Sequence, residues 1–118
     1  MFDRITELSL LFDFYGELLT ERKRETMHLY HEENLTLEEI ADEFSISKQA
    51  VHDALKSSEK ALRDYEEKLG LVERFARTTA MIEKIDAELD RLVRENSENS
   101  ELAGRLRKIR GIIDGLEE

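Results

Sequence analysis

Along most of this chain the large apolar residues fall at alternating intervals of three and four, and no proline interrupts them. That spacing lays one apolar stripe along an α-helix, whereas a half-buried strand needs an alternation every two residues. In the first segment the stripe is Ile5, Leu8, Phe12, Tyr15 and Leu19. After Gly70 it becomes a heptad seam of Leu71, Phe75, Thr78, Ile82, Ile85, Leu89 and Leu92, with one polar member. A last stripe runs through Leu102, Leu106, Ile109, Ile113 and Leu116. Composition points the same way: 39% of residues are charged and 40% hydrophobic, and Glu, Lys, Arg, Leu and Ala all favour helix. The expected fold class is all-α.

Local signals divide the chain into helices. Thr20 is the expected N-cap of a helix "ERKRETMHLYHEE" that ends near Asn34. Thr36 and Glu39 form a capping box, in which each side chain satisfies the other residue's exposed backbone donor, and it opens the short helix "LEEIADEF". Ser45, Ile46 and Ser47 separate this from a fourth helix, which Ser47 caps and which runs from Lys48 to about Leu69 before Gly70 stops it. "ENSENS", residues 95–100, has no apolar member and reads as a bend between two helices. The expected organisation is a helix-turn-helix domain over 1–70 and a C-terminal helical hairpin over 71–118, or an arm pairing with another subunit as a homodimer.

The third and fourth helices have the spacing of a DNA-binding helix-turn-helix. Such a motif needs a small residue where the helices cross, apolar residues that pin them, and a tight turn. Ala41 is the small residue, and Leu37, Ile40, Phe44, Ile46, Val51 and Leu55 are the pins. The outward face of the second helix is then Lys48, Gln49, His52, Asp53 and Lys56. Its first turn would meet base edges, where Gln49 can read adenine, and the later lysines would meet phosphates. The candidate nucleic-acid-binding residues are Ser47, Lys48, Gln49, His52, Lys56 and Lys60.

At these residues the chain resembles a known group. Residues 19–71, "LTERKRETMHLYHEENLTLEEIADEFSISKQAVHDALKSSEKALRDYEEKLGL", look like region four of bacterial sigma factors, which binds promoter DNA. With "LLFDFYGELLTE" before them and the helical tail after, the whole chain more closely resembles the YlxM family. Those are small sigma-region-four-like proteins encoded beside signal recognition particle genes. The resemblance implies an accessory or regulatory role in that targeting pathway, with a particle component, protein or RNA, as partner. "LLFDFYGELLTE", "TLEEIA" and "YEEKLGL" are its most specific pieces. Three positions depart from the pattern. Ser45 stands where the turn usually has glycine, Lys48 where the family commonly has arginine, and Asp53 puts a negative charge on the outward face.

Charge runs against tight DNA binding. The net charge is −10, and Met1 to Gly70 hold nine Lys/Arg against seventeen Asp/Glu, while the remainder holds nine against eleven. The acidity therefore lies in the half that carries the helix-turn-helix. Non-specific DNA affinity comes from neutralised phosphates, so only weak, salt-sensitive duplex binding is expected. An acidic protein suits a basic protein partner, although net charge also simply keeps a chain in solution.

Other chemistry finds little support. Without cysteine there is no disulfide, thiolate metal site or cysteine nucleophile, in keeping with a reducing cytoplasm. His28, His31 and Glu32 share a helix face, but they lack the further ligands that zinc requires, so no metal is expected. The glycines at 16, 70, 104, 111 and 115 are too scattered for a phosphate loop. Carboxylates on solvated helix faces have no raised pKa for acid–base work, so no catalytic residue and no cofactor are expected. Asp3, Glu7, Asp13 and Glu17 break up the N-terminus, and no apolar run reaches the length of a membrane span. The expected protein is cytoplasmic, off the membrane and not an enzyme. Its alternative role is that of a DNA-binding transcriptional regulator using Lys48, Gln49, His52 and Lys56.

Overall fold

The computed structural model describes residues 2–117, and it is helical almost throughout, with no strand among the described residues. Among these residues six α-helices follow in order: α1 Arg4–Tyr15, α2 Glu21–Met27, α3 Leu37–Phe44, α4 Lys48–Leu69, α5 Leu71–Glu95 and α6 Ser100–Asp114. The chain divides into two compact units, Met1–Val72 and Glu73–Glu118.

Helix ends in the first unit follow the capping signals. Asp3 caps α1, its carboxylate accepting from the Thr6 N–H at 2.7 Å, and that bond holds its carboxyl below the usual range. Thr20 caps α2, and Thr36 and Glu39 make both bonds of the capping box at 3.0 and 3.1 Å. Gly70 ends α4 at φ 63°, a left-handed conformation that glycine enters without a Cβ clash.

Two clusters fill this unit. Leu8, Leu11, Tyr15 and Leu19 meet Met27, Leu62 and Val72 in one. Ile40, Ala41 and Val51 form the other, with Leu37, Phe44, Ile46 and Leu55 packed against them. The small residue and the pins expected of the helix-turn-helix therefore do pack together. Buried hydroxyls are satisfied locally: Thr26 donates to the Arg22 carbonyl and Ser58 to that of Ala54, at 2.7 and 2.6 Å. Tyr15 also makes a polar latch. Its hydroxyl donates to Glu66 at 2.6 Å and accepts from the Leu71 N–H at 3.1 Å, while Glu66 accepts from the Val72 N–H at 2.9 Å. The latch ties α1 to the junction of α4 and α5.

Three details differ from the sequence reading. The first stripe buries Leu11 in place of Ile5, which is 82% exposed in the opening turn of α1. Helix α1 stops at Tyr15, and a 3-10 turn over Gly16–Leu18 precedes Leu19, so the stripe is not one unbroken helix. The second helix does run toward Asn34, but its last turn, His28–Glu32, is π-wound. There Glu33 N–H bonds to the His28 carbonyl and Leu35 N–H to that of Leu29, around Asn34 at φ 58°. Asn tolerates that left-handed position better than most residues, and the wide turn lets Leu29 and Leu35 both pack against the second cluster.

The second unit is thinner. Helix α6, capped by Asn99, turns back along α5: Arg110 donates to the Asp86 carbonyl at 2.8 Å and pairs with Asp90. Its buried apolar residues are Ala76, Ile82, Leu89, Ala103 and Leu106. Of the expected α5 seam only Ile82 and Leu89 are buried, while Ile85 and Leu92 are exposed. The buried face is rotated by about one residue, toward Ala76 and the half-buried Asp86 and Val93.

Candidate nucleic-acid interface

The turn that aims α4 depends on Ser45. It sits at φ 55° and ψ 44°, the left-handed region, and the next N–H, that of Ile46, bonds to the Ala41 carbonyl at 3.0 Å. A glycine there would be free of the Cβ contact that costs other residues about 1 kcal/mol. The chain leaves the turn extended through Ser47, whose hydroxyl accepts from the Ala50 N–H at 3.0 Å. Ser47 is thus the N-cap of α4, and its side-chain oxygen already serves the helix.

Along the outward face most polar side chains have partners within the protein. Lys48 lies 3.6 Å from Glu38 of α3. The Gln49 side-chain amide donates to Asp53 at 2.9 Å. Lys60 donates to Asp64 at 2.8 Å, and that bond raises the lysine's pKa. Lys56 makes no ion pair among the described residues, and His52 lies exposed beside it along a groove of about 340 Å³ that also involves Ile5, Tyr30, His31 and Leu37. Each exposed pair is weak in water, so phosphate could displace any one of them. The local sum is harder to escape. Lys48, Lys56 and Lys60 are accompanied by Glu38, Asp53 and Asp64, which leaves the face without net positive charge.

Sequence reasoning passed over Arg63 and Arg4 beside this face. Arg63 binds Glu7 at 2.8 Å and Glu59 at 3.2 Å, and these carboxylates raise its pKa against the opposing effect of burial. Arg4 approaches Glu59 at 3.6 Å. The i,i+4 spacing of Glu59 and Arg63, Gln49 and Asp53, and Lys60 and Asp64 was available as a signal. The contacts of Lys48 with Glu38 and Arg63 with Glu7 depend on tertiary structure.

The two histidines of the π-wound turn face different surroundings. His28 has its ring nitrogens 2.7 Å from Glu32 and 3.3 Å from Glu33. His31 meets Tyr30 edge-on at 5.0 Å, and partial loss of water pulls its pKa down against the pull of Glu59. Among the described residues no three His, Asp or Glu side chains are placed to hold a metal ion. No helix among them is long and apolar enough to cross a membrane.

Comparison with known proteins fits this arrangement. The profile of UPF0122, described as YlxM/p13-like helix-turn-helix proteins, matches residues 2–102. A UPF0122 protein of Desulforamulus reducens is 40% identical over 112 residues, covering 95% of this chain and 92% of that protein. One from Halalkalibacterium halodurans is 41% identical over 91 residues, 77% of this chain and 84% of that protein. A Bacillus cereus relative is 37% identical over 109 residues, 92% of this chain and 99% of its own length. With a helix-turn-helix built from the residues that the motif requires, and a match over most of its length, this chain belongs to the UPF0122 family of YlxM/p13-like helix-turn-helix proteins.

Proposed function

We propose that this protein is a non-enzymatic accessory or regulatory factor of the signal recognition particle pathway, acting through contact with a particle component, with protein favoured over RNA. The pathway comes from the resemblance to proteins encoded beside particle genes. The preference for protein rests on one observation: the outward face of α4 pairs Lys48, Gln49 and Lys60 with Glu38, Asp53 and Asp64. A surface without net positive charge gains little from phosphate, whether of DNA or of RNA. A basic protein surface would instead be drawn to the first unit's excess of carboxylates.

The test is a titration of fluorescently labelled protein against the purified particle protein, the particle RNA and a mixed-sequence DNA duplex, each at low and at physiological salt. Binding to the particle protein that survives physiological salt supports the reading. Tight duplex binding under those conditions would replace it with the second reading, a transcriptional regulator, which Lys56, on an outward helix and without an ion pair among the described residues, favours. If α4 does face DNA, Asp53→Asn should strengthen duplex binding. Converting Lys48 and Lys56 together to Ala should then shrink the slope of log affinity against log salt by roughly 2, about one for each phosphate no longer neutralised.

A further inference from the structure

Helix α6 carries Gly104 and Gly111 in its interior and Gly115 at its C-cap. None has positive φ, and a Cβ built on any of the three meets nothing within 4 Å. Neither backbone conformation nor crowding inside this chain calls for glycine there, although an interior glycine weakens a helix relative to alanine. Gly104 and Gly111 are seven residues apart and so share a face. The exposed apolar residues of α6 lie on a different side from these glycines: Ile109, Ile112 and Leu116, exposed by 45%, 66% and 70%, each stand about 100° or more around the helix from Gly111.

Helix α5 adds a second exposed row. Ile85 and Leu92, also seven residues apart, each lie three positions beyond a buried residue, Ile82 and Leu89. On α6, Ile109 lies three positions beyond the buried Leu106. A three-residue step turns about 60° short of a full revolution, in the same sense on both helices. Because α6 runs back along α5, the same offset brings both rows to one side of the helix pair.

We propose that this side of the second unit binds a second copy of the chain through its exposed aliphatic row. Area supports it. Ile85, Leu92, Ile109, Ile112 and Leu116 together expose roughly 500 Å² of apolar surface, so two copies would cover about 1,000 Å², the threshold for a specific interface. Shape supports it too. A face made of two antiparallel helices is matched by another such pair, and a two-fold axis through it sets each chain's aliphatic row against the partner's. The inference uses nothing on α4 and stands apart from the functional reading above.

Sedimentation equilibrium of the full chain from about 1 to 200 µM tests it, with circular dichroism to confirm helicity. A monomer–dimer equilibrium is expected. Ile112→Glu and Ile85→Glu should each weaken it by roughly tenfold or more, as charges do in an apolar interface centre. Gly111→Leu, on the side of α6 away from this row, should leave it unchanged. Glu83→Gln, on the opposite side of α5, should leave it unchanged. A monomer throughout that concentration range would overturn the proposal. So would a dimer that dissociates identically in the wild type and the two face variants.

Discussion

The two units share one kind of sequence and reach different ends. Tyr15, Leu11, Met27, Ile40, Leu62, Val51, Thr26 and Ser58 are the largest fully buried side chains, and every one belongs to Met1–Val72. The buried apolar set of Glu73–Glu118 is Ala76, Ile82, Leu89, Ala103 and Leu106, two of them alanines. Apolar spacing of three and four is present in both. What differs is how many neighbours a helix has. Helix α4 packs against α1, α2 and α3, so its stripe is enclosed from several directions. Two helices lying side by side can each cover only one flank of the other, and apolar residues off that line stay in water. A helical apolar stripe therefore states that something will cover it, and the number of helices decides whether the chain itself does so.

Matched leucine truncations separate the two units most directly. Leu62→Ala removes a fully buried side chain from the first core and should cost about 3 to 5 kcal/mol. Leu92→Ala, on the half-exposed row of α5, should cost less than about 1 kcal/mol in a dilute sample. Urea unfolding midpoints of the two variants at low micromolar concentration make the comparison. Equal losses would show that the second unit encloses its seam as fully as the first.

The sequence was most legible where partners are close along the chain. The caps at Thr20, Thr36 and Ser47, and the left-handed positions at Ser45 and Gly70, involve atoms a few residues apart. The pins from Leu37 to Leu55 were equally readable, because the helix-turn-helix is a local supersecondary unit. Ile5 misled because periodicity assigns a residue to a face without saying whether the rest of the fold reaches that far. The π-wound turn was hidden for a related reason: its wider winding goes with the packing of Leu29 and Leu35 on α3 and α4, which no local preference encodes. In α5 two overlapping seams, one through Ile85 and Leu92 and one through Ala76 and Val93, share Ile82 and Leu89. Only the position of α6 selects between them.

On the polar side too the first unit stands apart, since it closes its core around the buried Tyr15 and its bonded hydroxyl. Burial, reinforced by the bond to Glu66, raises the Tyr15 pKa above its ordinary value. A group raised in this way contributes stability that is fully present below its unfolded value of about 10 and is lost as pH rises through the higher folded value. Tyr15→Phe should cost about 1.5 to 3 kcal/mol near neutrality, because it removes a bond to a carboxylate and leaves the Leu71 N–H without its acceptor. The variant should also lose less stability than wild type between neutrality and strong alkali. Urea midpoints for both proteins across that range check the sign; parallel curves would show that the phenol does not drive the alkaline loss.

Ser45 gives the smallest effect. It stands at φ 55° in the turn of the helix-turn-helix, where a β-carbon is crowded by backbone, and replacing it with glycine relieves that crowding. Glycine also gives the unfolded chain more freedom, which acts in the opposite direction by a similar amount. The Ser45 N–H bonds to the Asp42 carbonyl through the backbone, so the substitution leaves that bond intact. Relief of strain and gain of unfolded-state entropy should nearly cancel, giving a change between zero and about 1 kcal/mol of stabilisation. Differential scanning calorimetry on Ser45→Gly reads it as an unchanged or slightly raised Tm. A clear drop would mean that the serine side chain stabilises the turn by more than its strain costs, and that glycine is not the better residue at this position of the chain.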